Sequence, residues 1–408
     1  MERTNYNNHV AQVKVLKPHS GRNGKSSVLR IALVTNHPPP FRIPIYERIA
    51  RMPGVELHAI FCSEREPNRQ WSLPPLHFNH VFLKERFVER GSNYIHNNPD
   101  VLAALNRIAP DVIVTTGFNP TFLYAFGYSV IRNVPHVPMT DGTNISEAAL
   151  SRWHRAVRRI VYSRSRAFIA ASLGGLRLYA DYGIPRESGF LSCLCIDNDA
   201  YAAYAGTQEK QYDLIFCGRI VADKNPLFAL QLADGLATRL GRRTSILFVG
   251  SGEQEAELNA MADKLALRVD VTINGHAEQH ELPALYGSAR LFLFPTARDV
   301  WGVVANEACA AGLPVIVTPD AGVAGELVLD GENGFVCGLD LGQWIDRAEL
   351  LLTNDALYRR FAARSLDLVA GYSFNHAADG IVQACLHATG RRHDDDDDAC
   401  QSHGRKVG

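Results

Sequence analysis

The stretch RDVWGVVANEACAAGLPVIVTPDAGVAGELVLDGENG, residues 298–334, predicts a loop, a helix, a strand and a second loop in that order. Residues 303–311 favour a short helix that ends at Gly312, because glycine commonly terminates helices. Pro314 then precedes the β-branched run 315–317, which is typical of a buried parallel strand. A loop that feeds a helix N-terminus leaves backbone N–H groups unpaired, and these favour an anion.

Two carboxylates in this stretch are placed to bind a polyol. Asp299 lies in the predicted loop, and Glu307 lies eight positions later inside the predicted helix. Both can face one crevice, one at each end of the ligand. Each could then accept hydrogen bonds from hydroxyl groups, since an ionised carboxylate is purely an acceptor.

The order of these elements resembles the donor-sugar signature of glycosyltransferase family 4, a class of retaining transferases with the GT-B fold. The matching elements are Asp299, Trp301-Gly302, Glu307, Gly312-Leu313-Pro314-Val315, Gly322 to Glu326 and Asp330 to Gly334. The family has Glu more commonly than Asp at the first acidic position. The alternative is a generic strand–helix–strand unit with chance acids, since short motifs carry a risk of false matches.

A second signature lies earlier in the chain, after the predicted strand 212–217. Gly218-Arg219-Ile220, with Lys224 five positions beyond the arginine, resembles the family's Gly-Arg-Leu and Lys pattern. The planar fork of Arg219 and the point charge of Lys224 suit a diphosphate leaving group. Asn225 is predicted to cap a helix that starts beside the two cations.

The resemblance implies a division of roles in the second half of the chain. Arg219, Lys224 and the helix N-terminus at Gly302, Val303 and Val304 would stabilise the departing diphosphate by preorganised charge.

Asp299 and Glu307 would hold the donor sugar. His276 is a candidate for the nucleobase pocket, and the alternative is a loop histidine exposed to water. The expected donor is a nucleoside diphosphate sugar. We expect no cofactor and no metal ion, because the two cationic side chains supply the positive charge.

The acceptor side is predicted in the first half of the chain. Strand 28–35 runs into a proline-rich loop, where the prolines fix the direction of His37 and Arg42. Many family members have a glycine-rich loop here that approaches the donor phosphates. An Arg- and Trp-containing loop places Trp71 on the same side. The alternative for His37 and Arg42 is a rigid turn between a strand and a helix.

Asp141 follows the predicted strand 134–139 and is a candidate base for the acceptor hydroxyl. A carboxylate at the C-terminal end of a parallel strand lies in the crevice where ligands bind. The family often has a histidine near this position. The alternative is that Asp141-Gly142 forms a turn and caps the next helix.

Length and composition indicate a globular protein. The 408 residues suit two domains, and 46% hydrophobic with 21% charged residues is ordinary. The N-terminus predicts no signal peptide, and there is no apolar run of 18 residues. The eight scattered cysteines are typical of reduced thiols. We therefore predict a cytoplasmic protein.

Charge is distributed unevenly along the chain. Residues 29–200 carry 19 Lys and Arg against 14 acids, whereas residues 201–390 carry 14 against 23. The basic half should meet an anionic partner. The predicted helix 147–163 has an apolar stripe and a basic stripe, formed by Leu150, Trp153, Val157, Ile160 and Val161 and by Arg152, Arg155 and Arg159.

This helix has two interpretations. Its apolar stripe packs on the sheet, or it contacts the anionic headgroups at the inner face of the cytoplasmic membrane. The basic and aromatic content is too low to indicate nucleic-acid binding.

Alternating strands and helices predict an α/β protein with two doubly wound, Rossmann-like domains that face a central cleft. The predicted segments are a disordered tail (1–27), an acceptor domain (28–200), a donor domain (201–371), a helix that crosses back to the first domain (372–390) and a disordered acidic tail (391–408).

The function implied by the resemblance is transfer of a hexosyl group from a nucleoside diphosphate sugar to an acceptor hydroxyl, with retention of configuration. The acceptor would be a glycan or lipid-linked saccharide in bacterial surface polysaccharide or glycolipid assembly. The alternatives are a nucleotide-sugar epimerase or hydrolase of the same fold and a catalytically idle nucleotide-sugar-binding subunit. A dinucleotide-dependent enzyme is disfavoured, because no full glycine fingerprint is present.

Overall fold

The structure is a computed structural model that describes residues 28–66, 73–90, 93–148, 150–206 and 209–391. The predicted tail 1–27 and residues 392–408 of the predicted tail 391–408 lie outside the described residues. The remaining chain forms two α/β domains, each built on a parallel sheet, as predicted.

The first domain contains nine strands and six helices in the described residues. The strands are β1 (Leu29–Thr35), β2 (Val55–Phe61), β3 (Asn79–Phe82), β4 (Phe87–Arg90), β5 (Asn93–His96), β6 (Val112–Thr115), β7 (His136–Thr140), β8 (Phe168–Ala170) and β9 (Gly189–Leu191). The helices are α1 (Ile43–Arg51), α2 (Val101–Ile108), α3 (Pro120–Arg132), α4 (Asn144–Glu147), α5 (Arg152–Tyr162) and α6 (Leu173–Asp181), with a 3-10 turn at Arg186–Ser188.

The linker and second domain contain six strands and eight helices in the described residues. The strands are β10 (Tyr212–Cys217), β11 (Thr244–Val249), β12 (Val269–Ile273), β13 (Ala289–Phe294), β14 (Val315–Val317) and β15 (Gly334–Val336). The helices are α7 (Asn198–Ala202), α8 (Pro226–Leu240), α9 (Glu255–Leu265), α10 (Leu282–Gly287), α11 (Val303–Ala310), α12 (Leu341–Thr353), α13 (Asp355–Val369) and α14 (Phe374–Thr389), with a 3-10 turn at Ala222–Lys224.

Both large sheets are parallel. In each sheet the strands are added on one side of the first strand in the chain and then on its other side, so the strand order reverses there. The first sheet has the order β3-β2-β1-β6-β7-β8-β9, and the second has the order β12-β11-β10-β13-β14-β15. Strands β4 and β5 form a separate antiparallel pair. In such sheets the crevice beside the first strand, at the carboxyl ends, is where ligands bind.

Strand β1 has a continuous apolar sequence because both of its faces are buried. Ile31 and Leu33 belong to one buried cluster, and Ala32 and Val34 belong to another. Successive side chains of a strand point to opposite faces, so a sheet covered on both faces requires apolar residues at every position.

Helix α14 returns to the first domain, as predicted. Its residues Ala377, Ile381 and Cys385 are fully buried in the same cluster as Ile31 of β1. Arg48 of α1 also donates a hydrogen bond from Nε to Oδ1 of Asn375, at 2.6 Å. The C-terminal helix therefore completes the core of the N-terminal domain.

Several predicted helix boundaries are wrong. The helix predicted from Glu147 begins at Arg152, because the Ser151 side chain caps it by accepting from the backbone N–H of His154. Asn225 does not cap α8 with its side chain. It adopts the left-handed conformation, and its amide donates to the carbonyl of Pro295 at 2.8 Å.

Candidate functional site

The first cluster of interest joins the loop after β10 to the loop after β13. The Lys224 ammonium donates to Oδ2 of Asp299 at 2.7 Å, to the hydroxyl of Thr296 at 3.1 Å and to the carbonyl of Arg298 at 3.3 Å. Three acceptors exhaust the three donors of an ammonium group. Lys224 is therefore held rigidly, and the two predicted signatures lie side by side.

Arg219 differs from Lys224 in having no assigned partner. Its side chain is exposed, and within the described residues it makes no hydrogen bond or ion pair. Its backbone is fixed, since the carbonyl accepts from the N–H of Val221 at 3.0 Å and the next residue, Ile220, donates to the carbonyl of Ser251 at 2.9 Å. An arginine anchored at its backbone and open at its guanidinium can receive a phosphate.

Helix α11 starts at the edge of this cluster. Gly302 precedes it with φ of 109°, and a Cβ there would lie 2.3 Å from the ring of Phe294, so no other residue fits. The backbone N–H groups of Val303 and Val304 belong to the first turn, where a helix has no internal acceptors. Because the helix dipole adds positive charge at this end, the N-terminus can bind an anion.

The two carboxylates of the predicted sugar site already have partners. Oδ1 of Asp299 accepts from the backbone N–H of Trp301 at 3.1 Å, while Oδ2 faces Lys224. Glu307 is only 6% exposed, and its Oε2 accepts from the Tyr286 hydroxyl at 2.8 Å. A bound sugar would have to use the remaining acceptor positions of these carboxylates or displace a partner.

Burial changes the proton affinity of Glu307. Loss of solvent raises the pKa of Glu307 to about 7, and hydrogen bonds from Tyr286, Tyr201 and Gln279 offset only part of this effect. Tyr201 comes from α7 in the linker, so the linker contributes to the surroundings of a predicted donor-site residue.

We expect Glu307→Gln to flatten the dependence of stability on pH. The ordinary pKa is 4.5 and the folded value is about 7, so the folded protein binds more protons between these values. The free energy of unfolding therefore falls as pH rises through this window, by about 3 kcal/mol for this group. Denaturant unfolding of both proteins from pH 4.5 to 8 tests this.

The control is Glu187→Gln, which removes an exposed carboxylate in the 3-10 turn 186–188 and should leave the profile unchanged. The pKa of Glu326 is also raised to about 7 by burial, so Glu326→Gln separates the second contribution. If Glu307→Gln and the wild-type protein give parallel profiles, the protonation assigned to Glu307 is wrong.

Two loop features of the donor domain are clarified by the structure. His276 is 75% exposed on its side chain, and its Nε2 lies 4.0 Å from the carboxylate of Glu278, so its role in a base pocket stays a prediction. Gly250 packs against a neighbouring loop, because a Cβ there would lie 2.0 Å from the carbonyl oxygen of Gly218. The Gly250-Ser251-Gly252 pattern is thus explained by close backbone packing.

The second cluster surrounds a cavity of about 360 Å³ in the first domain. It lies at the carboxyl ends of β1, β6 and β7, where Thr35, Thr116 and Met139 reach it. The predicted acceptor residues His37, Arg42 and Asp141 all line it. His37 and Arg42 therefore lie at the same cavity as Asp141, which is 99 positions beyond Arg42 in the chain. Trp71 lies outside the described residues.

Arg42 and Asp141 form an ion pair at the wall of this cavity. The buried guanidinium donates to Oδ1 of Asp141 at 2.6 Å and to the hydroxyl of Ser192 at 3.2 Å. Burial acts to lower the pKa of Arg42, but the charge of Asp141 together with Tyr46, Cys195 and Cys193 outweighs burial, and the pKa is raised. Asp141 keeps 48% of its side chain exposed, so the pair presents a carboxylate to the cavity.

His37 is backed by a buried carboxylate. Nδ1 of His37 lies 3.5 Å from Oε2 of Glu66, and Nε2 of the fully buried His96 lies 3.0 Å from Oε1. Burial alone would raise the pKa of Glu66, but the two histidines lower it to about 2. Glu66 and His96 could not be recognised as a pair from the sequence, since 30 residues separate them and neither belongs to a motif.

A contact between the domains links the two clusters. Both carboxylate oxygens of Glu326 accept from the backbone N–H of Leu173, at 3.0 and 2.9 Å. Leu173 is the first residue of α6, which contacts α4 directly after the Asp141 turn. Glu326 was quoted only as part of the family pattern, and its position at a helix N-terminus of the other domain required the tertiary structure.

The sequence is similar to known glycosyltransferases. The sequence model described as "Glycosyl transferases group 1" matches residues 197–366. A D-inositol 3-phosphate glycosyltransferase of Frankia alni is 33% identical over 184 residues, which is 43% of this chain and 45% of that protein. The protein of the same name from Mycolicibacterium smegmatis is 32% identical over 195 residues, 47% of this chain and 43% of that protein. The chain therefore spans less than half the length of these relatives.

Solved structures match over most of the chain. A glycosyltransferase from Rickettsia africae has a TM-score of 0.67 at 15% identity, over 88% of this chain and 98% of that one. Anabaena HepE, crystallised with UDP-glucose, has a TM-score of 0.61 at 17% identity, over 87% and 98%. WaaG, described as involved in lipopolysaccharide biosynthesis, has a TM-score of 0.60 at 17% identity, over 88% and 100%.

The fold class of the protein follows from these comparisons, from the two parallel sheets and from the C-terminal helix that returns to the first domain. The protein has the GT-B fold. Residues 197–366 match the model of the group 1 glycosyltransferases, which confirms the resemblance seen in the two sequence signatures.

Proposed function

We propose that this protein transfers a hexosyl group from a nucleoside diphosphate sugar to an acceptor hydroxyl, with retention of configuration. The main support is the open guanidinium of Arg219, which lies five positions before Lys224 in the chain, together with the Lys224–Asp299 pair and the α11 N-terminus. A guanidinium that is open to solvent on a loop with a fixed backbone is available to an anionic ligand. HepE, a structural neighbour, is crystallised with UDP and with UDP-glucose.

The donor domain would act mainly by electrostatic stabilisation. Charge develops on the diphosphate as the bond to the sugar breaks, and preorganised donors lower the energy of that state. Arg219 and the N–H groups of Val303 and Val304 would supply these donors, and Lys224 would contribute its positive charge. Because these groups provide the positive charge, we propose that transfer needs no metal ion.

The acceptor domain would bring the hydroxyl to the sugar. Asp141 presents its carboxylate to the cavity while Arg42 and Ser192 hold its position, so Asp141 can accept a hydrogen bond from the attacking hydroxyl and take its proton. His37, which follows β1 at the same edge of the sheet, would orient the same acceptor.

The experiment that tests the proposal is a panel of nucleotides and nucleotide sugars in thermal denaturation. A ligand at 100 times its Kd adds about 2.7 kcal/mol of stability, which is readily observed. The expected result is stabilisation by one nucleotide sugar, followed by transfer when an acceptor extract is added. Release of free sugar or an epimer without acceptor would favour the hydrolase or epimerase. Binding without turnover would favour the idle subunit.

We place the acceptor among glycans or lipid-linked saccharides, in bacterial surface polysaccharide or glycolipid assembly at the cytoplasmic face of the membrane. The description of WaaG supports this setting. The name of the curated relatives indicates a phosphorylated polyol as the second acceptor class to test.

A surface of the first domain supports contact with a membrane. The prediction that the apolar stripe of α5 packs on the sheet is wrong for Trp153, which is 76% exposed, and for Ile160, which is 60% exposed. Arg152, Arg155 and Arg159 are exposed on the same helix. No helix of the described chain is long and apolar enough to cross a bilayer.

We expect replacement of Arg152, Arg155 and Arg159 by glutamine to weaken binding to anionic phospholipid vesicles by about 100-fold. Each arginine near an anionic surface contributes about 1 kcal/mol. Cosedimentation with anionic and with neutral vesicles at two salt concentrations measures this. Replacing Arg239, Arg359 and Arg360 of the other domain is the matched control. Equal binding of both triple variants would contradict the assignment of α5 as the membrane contact.

A further inference from the structure

The cavity of the first domain carries information about the chemical class of the acceptor. We infer that it takes a neutral sugar ring rather than a phosphorylated one, and that Arg42 is a positioning residue for Asp141 rather than an anion receptor. This inference rests on the proposed function, because it concerns the acceptor of that reaction.

The size of the cavity suits one sugar ring. About 360 Å³ is at the small end of the range of ligand pockets, which extends over roughly 300–1,000 Å³. Phe41 is 39% exposed and also lines the cavity, so an aromatic face is available to the apolar side of a ring.

The charges at the cavity do not favour an anion. Among the described residues that line it, Arg42 is the only lysine or arginine. Its guanidinium is already committed to Asp141 and Ser192. Glu66 lies behind His37 and is ionised at neutral pH, since its pKa is lowered to about 2 by the two histidines. Because Asp141 already balances the charge of Arg42, no lysine or arginine that lines the cavity in the described residues is left to pair with a phosphate.

The polar groups at the cavity include hydrogen-bond acceptors that a ligand hydroxyl could satisfy. Oδ1 of Asn36 is buried and has no hydrogen-bond partner among the described residues, although Asn36 lines the cavity. A buried acceptor without a donor is costly, and a ligand hydroxyl would satisfy it. Asp141, which also lines the cavity, offers a second acceptor. Hydroxyl groups donate to such acceptors, whereas an ionised phosphate oxygen cannot.

The test compares matched ligands on the full-length protein. Methyl glycosides of glucose, galactose and mannose and the corresponding hexose 6-phosphates are titrated by saturation-transfer NMR. UDP is present to occupy the donor site, so that phosphates do not report on Arg219 and Lys224. We expect at least one neutral glycoside to bind at least tenfold more tightly than its 6-phosphate. Equal or tighter binding of the phosphates would overturn the inference, as would binding of no glycoside.

Two variants test the physical cause. Asp141→Asn keeps the shape but releases the charge of Arg42, so the 6-phosphate should gain at least tenfold in affinity. Asn36→Ala removes the orphan acceptor, and the neutral glycoside should lose about tenfold in affinity without a change in its preference over the phosphate. Glu187→Gln, outside the cavity, is the control and should change neither.

The comparison of neutral and phosphorylated ligands on the wild-type protein tests the inference even where Asp141→Asn does not fold. Failure of the proposed function is also distinguishable from failure of this inference. In the first case no nucleotide sugar stabilises the protein. In the second, a nucleotide sugar binds and is turned over, but the phosphorylated ligand is the preferred one at the cavity.

Discussion

Asp141→Asn is expected to lower the rate of sugar transfer by about 10²- to 10⁴-fold while leaving donor affinity unchanged. A positioned general base contributes roughly this factor, and asparagine cannot take the proton of the acceptor hydroxyl. The side chain lies in the first domain, whereas the diphosphate-binding groups lie in the second. The measurement is initial rate of product formation together with nucleotide-sugar affinity from thermal denaturation.

The same substitution also removes the partner of a buried arginine. Arg42 is 3% exposed, so loss of its ion pair can destabilise the domain by about 3–5 kcal/mol. Activity is therefore compared at a temperature where the variant is folded, with Glu187→Gln as the control. A variant that is folded, binds the donor normally and retains wild-type turnover would exclude Asp141 as the base.

Arg219→Ala is expected to lower kcat/KM for the donor by about 10²- to 10³-fold, because loss of one preorganised group that stabilises developing charge typically costs this much. The effect should appear in nucleoside diphosphate binding as well, since the guanidinium would contact the diphosphate before and after transfer. Steady-state kinetics and titration with the nucleoside diphosphate measure both quantities.

The position of Arg219 makes this a clean experiment. Its side chain is exposed and without a partner among the described residues, so the free energy of unfolding should change by less than about 0.5 kcal/mol. Arg239→Ala is the matched control, because Arg239 lies near the far end of α8 and pairs with Asp346 and Glu349. Comparable activity of the two variants would show that Arg219 does not contact the diphosphate.

Lys224 illustrates why sequence signatures and geometry are both needed. The motif places it beside Arg219, and the same residue types could each contact phosphate. In the structure Lys224 is bound by Asp299, Thr296 and the Arg298 carbonyl, whereas Arg219 is open. The two cations therefore have different tasks before the donor arrives: Lys224 organises the loop that carries Asp299, and Arg219 is available to the ligand.

Much of the fold could be read from the sequence because local signals and burial agree. Apolar runs such as 29–35 and 212–217 became parallel strands, since a sheet covered on both faces demands apolar residues at every position. Helix α11 began at Val303 as predicted, because Gly302 is the residue that tolerates the required conformation. The family signatures added the GT-B arrangement.

The local predictions that failed for Asn225 and for the stripe of α5 depended on surroundings outside the local window. Asn225 was predicted as a helix cap from its position before a proline. Its amide instead binds the carbonyl of Pro295, 70 residues away. Trp153 and Ile160 fit an apolar stripe, but the sheet does not reach them, so they remain exposed. Periodicity describes a helix face and does not say what covers it.

The sequence by itself determined the class of fold, the donor signatures and the residues to consider at both sites, because these depend on local pattern and residue type. Only the tertiary structure decided which charges are already paired. Arg42 is neutralised by Asp141, Glu307 is buried against Tyr286, and Glu326 reaches a helix of the other domain. These pairings join residues far apart in the chain, and electrostatic energy depends on distance in space rather than along the sequence.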